Sequence, residues 1–578
     1  MGTLISVLFV IYLYQMCGIT EKELFPFLVV IVGYLLFKST KGRYSVKENI
    51  LLVFLAIYVS FVFYIGKIAW KVDSADFLNT KNMLIVLAGV PYIYFLLNFV
   101  LCKAARLRLP NNQDGDSKII GITKKWSWQI STSIMFLCWV PALICNYPGI
   151  IISDYTWQYS QAIGESQLNN HHPVVHTLLI TISKKIATLI YGGFSAEHTV
   201  LINSILQMFV VAFILGYVIS SLVKKQNVTI YVAGLILLFI SIFPMNALFS
   251  VYMTKDVIFS TLLVWFSYEI YNFLMVTNRL KIGRDYSWIK LIPVIISAGF
   301  VIVFRNNGFL VVIGTFCAIT IIKRKDKGVW ILLMLGVCMY LFQTPTLKLM
   351  GIPNTELVES IGVPINQVAN VIVHDRDITE KQKDLIEDVM PIEDIRNTYN
   401  IRYSDHLKFS SAFNASAIQA NKGEYLKLWA TLFFQYPKDC LEASLNLTIG
   451  YWYPGVEKGS VSYDYDSRFQ FYEQMGIKNY STNEYYRRYL TTDVRNSLAE
   501  SWLWSPGLGV LVMLLLFGVV IIKREYVKGA TFIPNMLGWG SLLLATPSYC
   551  ETRYIYFIFL MIPIWIAIIF TNGDEYNG

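Results

Sequence analysis

The chain has 578 residues, 55% of them hydrophobic and 15% charged, and carries a net charge of +9. A mean hydropathy of +0.50 excludes an ordinary soluble protein. The basic residues fall in short loops between apolar runs, so the positive charge sets orientation in a membrane and does not imply nucleic acid as a partner. The runs are roughly 17–25 residues long and continuous, which predicts α-helical spans and not barrel strands.

In chain order, the first four expected spans cover about 2–18, 24–37, 49–66 and 82–102 and make a four-helix region, 1–125. The start, MGTLIS, fits a myristoylation pattern but runs into an apolar helix without a cleavage site, so it reads as the first span. The loops Lys38 to Lys47 and Lys103 to Lys125 are basic and therefore cytoplasmic, which puts the amino terminus inside. Span five, about 126–147, leads outward to a polar loop, 148–197, that holds Asp154, Glu165, His171, His172 and His176. After Pro173 the apolar residues Val175, Leu178, Leu179, Ile182, Ile186, Leu189 and Ile190 recur at helical spacing, while Thr177, Thr181, Lys184 and Thr188 line the other side. Two adjacent mid-helix lysines predict a helix in the membrane interface, lysines toward water.

Spans six and seven cover about 198–222 and 228–246, and span eight opens at Thr254-Lys255-Asp256. Span nine, about 288–304, delivers Arg305 outside, span ten returns to Lys323-Arg324-Lys325, and span eleven covers about 329–346. The block 347–503 carries 16 Lys and Arg against 21 Asp and Glu and is long enough to fold as an extracytoplasmic domain. Helices are expected in it over Ile378 to Met390, capped by Thr379, and over Lys422 to Gln435. Three more spans, about 504–522, 530–548 and 553–571, complete the carboxy-terminal region 504–578. The expectation is an all-α polytopic membrane protein with about fourteen spans, both termini cytoplasmic, one interfacial helix and one mainly helical outer domain. Cysteines 17, 102, 138, 145, 317 and 338 lie in apolar runs; Cys440 and Cys550 read as external, with no spaced partner.

This topology gathers charges from distant stretches at one face: Asp154 and the histidines, Lys255 and Asp256, Arg305, and Glu551 with Arg553. Ionisable residues at membrane depth are costly and face an interior cavity. The order of an acid after a span (Asp154-Tyr155), then His172-Pro173, then a helix ending at Leu189-Ile190-Tyr191-Gly192, resembles the GT-C glycosyltransferases. The nearest branch is that of the protein O-mannosyltransferases and lipid A aminoarabinose transferases. An Asp opening a mid-chain span, as Asp256 does, and an Arg-Tyr pair opening a late one, as Arg553-Tyr554 does, extend the resemblance. It covers about 126–346, the expected catalytic core, and 504–571. His-Pro-Val-Val-His stands here where that branch commonly has paired prolines. The runs Asn169-Asn170-His171-His172-Pro173 and Tyr451-Trp452-Tyr453-Pro454 also resemble uncharacterised multi-span proteins of Gram-positive bacteria.

The resemblance implies transfer of a sugar from a polyprenyl-phosphate donor to a cell-surface glycan or lipid acceptor at the outer face. Such a transfer needs a base for the acceptor hydroxyl, for which Asp154 is the candidate. It also needs cations for the leaving phosphate: Arg305 and Arg553, assisted by Lys255, His171 and His172. Asp256, His176, Glu551 and Tyr554 would support these groups, and Trp452 and Tyr453 offer aromatic faces to an acceptor sugar. His172 and His176, four apart with Glu165 nearby, permit a divalent metal, but no third ligand is fixed by the sequence. The competing expectations are a flippase of lipid-linked glycans and a non-catalytic surface receptor or assembly protein.

Overall fold

The computed structural model describes residues 2–17, 31–33, 35–37, 45–71, 76–110, 118–279, 288–353, 357–456, 461–488 and 504–571. The expected second span, the loop Lys38 to Lys47, the basic loop after Arg279 and the stretch around Arg495 lie largely or wholly outside them. The described residues are helical, with isolated backbone bridges and no strand. Helices of full spanning length and apolarity are α1 (Val46–Lys71), α2 (Thr80–Ala105), α3 (Ser127–Cys145), α5 (Val174–Tyr191), α6 (Ala196–Lys225), α9 (Lys255–Arg279), α12 (Lys327–Leu349) and the carboxy-terminal stretch Thr552–Phe570. Between α3 and α5 lies the short α4 (Ser153–Ile163). A ninth span forms if α7 (Ile230–Ile242) and α8 (Pro244–Ser250), bent by 61° where Pro244 interrupts the run, count as one.

Among the described residues, which leave out most of the expected second span, eight or nine helices have full length, against fourteen expected spans. The runs read as spans nine and ten fold as α10 (Ile292–Phe304) and α11 (Gly308–Ile322), 13 and 15 residues long. At ~1.5 Å per residue, neither reaches the ~30 Å of a hydrocarbon core alone. Gly2–Cys17, Pro506–Ile522 and Ile533–Ala545 are likewise apolar but short. The outward surface is what a membrane requires: Leu137 and Leu235 are 66% and 67% exposed. Inside, helices are tied by hydrogen bonds that hydrocarbon would otherwise leave unmade, such as Asn535 to Ser267 (3.0 Å) and Tyr556 to Asn246 (2.8 Å). The most enclosed helix is α9, packed between α6, α10 and the last helix, α21 (Tyr556–Phe570).

The helix after Pro173 forms as expected, but its faces divide differently: Thr188 is exposed and Thr181 and Lys184 are half-buried, while Thr177 turns inward. Thr177, Ile180, Ser183 and Ala187 are buried against α6, with Ser183 donating to Asn203 at 3.0 Å. Leu178, Ile182, Leu189 and Ile190 face outward. Small and hydroxyl side chains let two membrane helices approach closely, and bulky apolar ones go to lipid. Thr177 therefore does not face water.

The polar block has its own hydrophobic cluster. The helices of the block are α13 (Gly362–Val373), α14 (Glu380–Val389), α15 (Ile392–Thr398), α16 (Asp405–Lys408), α17 (Ala415–Ala420), α18 (Lys422–Gln435) and α19 (Pro437–Leu447), and all but α17 contribute to the cluster. The expected cap is present as a capping box between Thr379 and Gln382. Helix α20 (Val461–Gln474) follows. Cys440 and Cys550, read as external, are both buried free thiols.

Candidate functional site

Three backbone junctions build the site. In the first, Ile150 donates to the Val251 carbonyl and Met253 donates to the Ile150 carbonyl, both at 2.9 Å. This parallel bridge sets the start of α4 beside the start of α9, although about a hundred residues separate them. Helix α6 locks both sides: Ser204 donates to the Pro148 carbonyl (2.8 Å), and Gln207 donates to the carbonyls of Phe249, Ser250 and Tyr252. Gly149, at φ +149°, sits so close to Ser204 that a Cβ would overlap its hydroxyl. In the second junction, Gly450 donates to the Tyr549 carbonyl (2.8 Å), an approach that a side chain at 450 would block against Cys550. It lets the Tyr451 hydroxyl accept from the Glu551 amide at 3.0 Å, placing Glu551 and Arg553. In the third, Asn306 donates to the carbonyls of Asn170 (3.0 Å) and His171 (3.3 Å), fixing the turn between α10 and α11 to the histidine loop.

These junctions bring six charged side chains and His172 together. Lys255 donates to Asp154 at 2.8 Å and to Nδ1 of His172 at 3.0 Å. Arg305 lies 2.9 Å from Asp256, close in distance although outside hydrogen-bond alignment for that oxygen. Arg553 lies 3.3 Å from Glu551, 3.8 Å from Asp154 and 3.9 Å from Asp256. Both guanidinium groups stand over the Tyr554 ring, at 4.8 Å and 5.2 Å. Three acids thus face three permanent or near-permanent cations in a largely water-excluded space, where charge pairing is strong. Asp256 is fully buried, and Thr254 holds its second oxygen at 3.2 Å.

Burial pushes the Asp154 carboxyl up, but Lys255 and Arg553 outweigh burial and hold it well below the usual carboxylate range. Asp154 is ionised, and 23% of its side chain remains exposed, more than any other acid of the cluster. Burial, with Lys255 adding, pushes His172 down to about 2. Its ring is therefore neutral, with Nδ1 accepting from Lys255 and the proton on Nε2.

Of the expected site residues, Asp154, Lys255, Asp256, His172, Arg305, Glu551, Arg553 and Tyr554 meet. His171 turns out: its ring is exposed and packs edge-on against His172 at 4.5 Å. His176 is buried beside the cluster, Nδ1 bonded to Gln158 at 2.9 Å and Nε2 enclosed with no partner among the described residues. Trp452 and Tyr453 are elsewhere. Trp452 is 4% exposed, packs on Phe61 and donates to the Leu445 carbonyl; Tyr453 covers Gly66 and Gly507. Both rings lie against α1 and do not offer those faces to an acceptor. Glu165 is exposed, and no group of three His, Cys, Asp or Glu side chains suited to a metal gathers among the described residues. Asp405 joins the neighbourhood unannounced: Ser404 beside it donates to the Pro547 carbonyl at 2.9 Å, on the segment that leads to Glu551, and burial pushes the Asp405 carboxyl up against the opposing charge of Lys408. Nothing in its local sequence, Asp405-His406-Leu407-Lys408, marks it.

The model of a family of unknown function, DUF6020, matches residues 147–575. The chain belongs to DUF6020. The stretch shared with DUF6020 contains every charged residue of the cluster and all three backbone junctions, and leaves the first helices outside it. No curated protein and no solved structure matches the chain.

Proposed function

We propose that this DUF6020 protein is an integral-membrane glycosyltransferase of the GT-C type. It moves a sugar from a polyprenyl-phosphate donor to a cell-surface glycan or lipid on the outer face of the cell membrane, both termini lying inside and the 347–503 block outside. The observation that carries this reading is the balanced cluster of Asp154, Asp256 and Glu551 with Lys255, Arg305 and Arg553, drawn from four separate stretches to one end of the bundle.

A balanced cluster is a site waiting for an anion. A donor phosphate competes with Asp154 for Lys255 and Arg553, and the planar forks of Arg305 and Arg553 suit two of its oxygens. Losing those partners frees the Asp154 carboxylate to accept the proton of an acceptor hydroxyl. The acceptor oxygen then bonds to the sugar carbon as the carbon–oxygen bond to phosphate breaks, and the leaving phosphate stays on the cations that drew it in. Tyr554 keeps both guanidinium planes in place.

A flippase would spread charge through the membrane depth; here the ionic network sits where helices begin and end, which favours the enzyme. The test is purified protein in vesicles with labelled polyprenyl-phosphate hexoses and a cell-surface extract as acceptor. The proposal expects label in the acceptor and free polyprenyl phosphate in the lipid phase; a failure of every donor to discharge would overturn it.

A further inference from the structure

A cavity of about 410 Å³ opens in the polar block, away from the charged cluster. Its walls come from α13, α14, α17 and α18, with Val368, Ile386, Ile418 and Leu428 among its apolar lining. Its size lies within the roughly 300–1,000 Å³ of small-molecule sites, and its character is theirs: apolar walls with few polar groups. Water would find almost nothing to bond to there. Trp429 presents only its ring, since its N–H is spent on Gln367 at 2.6 Å. Two polar groups remain on the wall. The Tyr425 hydroxyl is buried with no hydrogen-bond partner among the described residues. Lys422 is exposed at the rim and makes no ion pair among the described residues.

Lys422 is also the first residue of α18, whose N-cap, Asn421, makes no side-chain cap bond. The first amides of a 14-residue helix and an ammonium therefore share the mouth, an arrangement that favours an anion. Glu424 nearby is drawn to Lys381 at 3.7 Å. Leu426, at 63% exposure, continues the apolar surface from the cavity to the outside on the same helix.

We propose that this cavity binds the hydrocarbon chain of an anionic lipid, with the head group at Lys422 and the first turn of α18. The chain satisfies the apolar walls, and a polar atom near its head meets the Tyr425 hydroxyl. The site is separate from the transferase cluster and does not depend on transfer. Helix α16 leads from Ser404, which donates to the Pro547 carbonyl at 2.9 Å, to the cavity, where Leu407 lines the wall while Asp405 and Lys408 pair at 2.7 Å on the same short helix.

The test uses the full chain in nanodiscs and two photoreactive lipids: phosphatidylglycerol with a diazirine in its acyl chain, and a diazirine-bearing farnesyl phosphate. After irradiation, adducts are mapped by peptide mass spectrometry. Adducts on 361–369 or 418–429 are expected. Labelling by the first lipid alone identifies a phospholipid chain as the source, and by the second alone an isoprenoid phosphate. Ala369→Phe, which fills the cavity, should lower these adducts at least tenfold and leave adducts on the membrane helices unchanged; Val368→Trp serves the same purpose if the first variant does not fold. Lys422→Glu should lower them several-fold, and should not do so for a diazirine diacylglycerol. Absence of adducts from the lining with both lipids, or unchanged yields in the filled variants, overturns the site. Unchanged yields in Lys422→Glu overturn the placement of the head group.

Discussion

Asp256→Asn separates a cluster held together by charge from one that merely contains charges. The Asp256 carboxylate is fully buried, 2.9 Å from Arg305 and 3.9 Å from Arg553. Asparagine keeps its shape and its contact with Thr254 but removes one of three negative charges facing three positive ones. Leaving a buried ion without its partner costs about 3–5 kcal/mol. Arg305 and Arg553 retain 14% and 11% exposure, and Arg553 keeps Glu551 at 3.3 Å. The expected loss is therefore at the low end, about 3 kcal/mol. The same excess of positive charge should make the variant a better anion binder than its parent. Farnesyl phosphate at a hundred times its Kd should return about 2.7 kcal/mol. The assay is unfolding by SDS in mixed micelles, with and without farnesyl phosphate. If Asp256→Asn unfolds within about 0.5 kcal/mol of the parent, as uncoupled surface changes do, or gains no more from the lipid phosphate than the parent does, the cluster is not an electrostatic unit.

Arg553→Lys keeps the charge but cannot span three acids, so it should lose donor affinity at least tenfold with little change in stability. Glu551→Gln, which removes an anion that competes for Arg553, should leave donor binding at least as tight, and a loss equal to that of Arg553→Lys in a direct binding assay would return Arg553 to a structural pairing with Glu551. Gly149→Ala must fit a side chain at φ +149° against Ser204 and should cost more than about 1 kcal/mol; an unchanged unfolding midpoint would deny that the Ile150–Tyr252 junction is tight. His172 is held neutral far below its ordinary value of 6.5, so its unfolded form binds protons first on acidification. Its contribution to stability is complete above pH 6.5 and falls away as the pH drops toward 2. Asp154, also depressed, adds its own loss only below the ordinary carboxylate value of 3.8. His172→Gln should flatten the stability profile between pH 6.5 and 4, and a profile identical to the parent's would remove His172 from the buried cluster. Single cysteines at Ser166 and Ser410 should react with an impermeant thiol reagent from outside intact cells, and one at Ser117 only after lysis; the reverse pattern would invert the topology.

Much of this was legible because local chemistry and global fold agree. Thr379 and Gln382 are spaced as a capping box, and they form one. Pro173 ends the loop and Gly192 closes the following helix in the left-handed region, where the sequence placed both boundaries. Charges at the ends of apolar runs pointed to one another correctly, since a bilayer leaves them nowhere else to go. What stayed hidden depends on partners far along the chain. The orientation of Val174–Tyr191 follows from Ser183 finding Asn203, not from its own hydrophobic pattern. Trp452 and Tyr453 look like a sugar platform until Phe61 and Gly66 are seen beneath them. The turn at Arg305 stands where the sequence placed it, but the lengths of the helices on either side, 13 and 15 residues, and the 61° bend at Pro244 were not legible in the hydropathy. The buried Tyr425 hydroxyl and the Asp405 turn carry no sequence signature at all.

The central claim rests on Asp154 as the proton acceptor for an incoming hydroxyl. The most direct measurement compares the parent protein and Asp154→Asn in vesicles, recording donor binding and sugar transfer on the same preparations. Removing a general base lowers the rate by about 10²–10⁴. The account predicts a loss in that range with donor bound at least as tightly, because Lys255 and Arg553 lose a competitor. Transfer by Asp154→Asn at the parent's rate would contradict it.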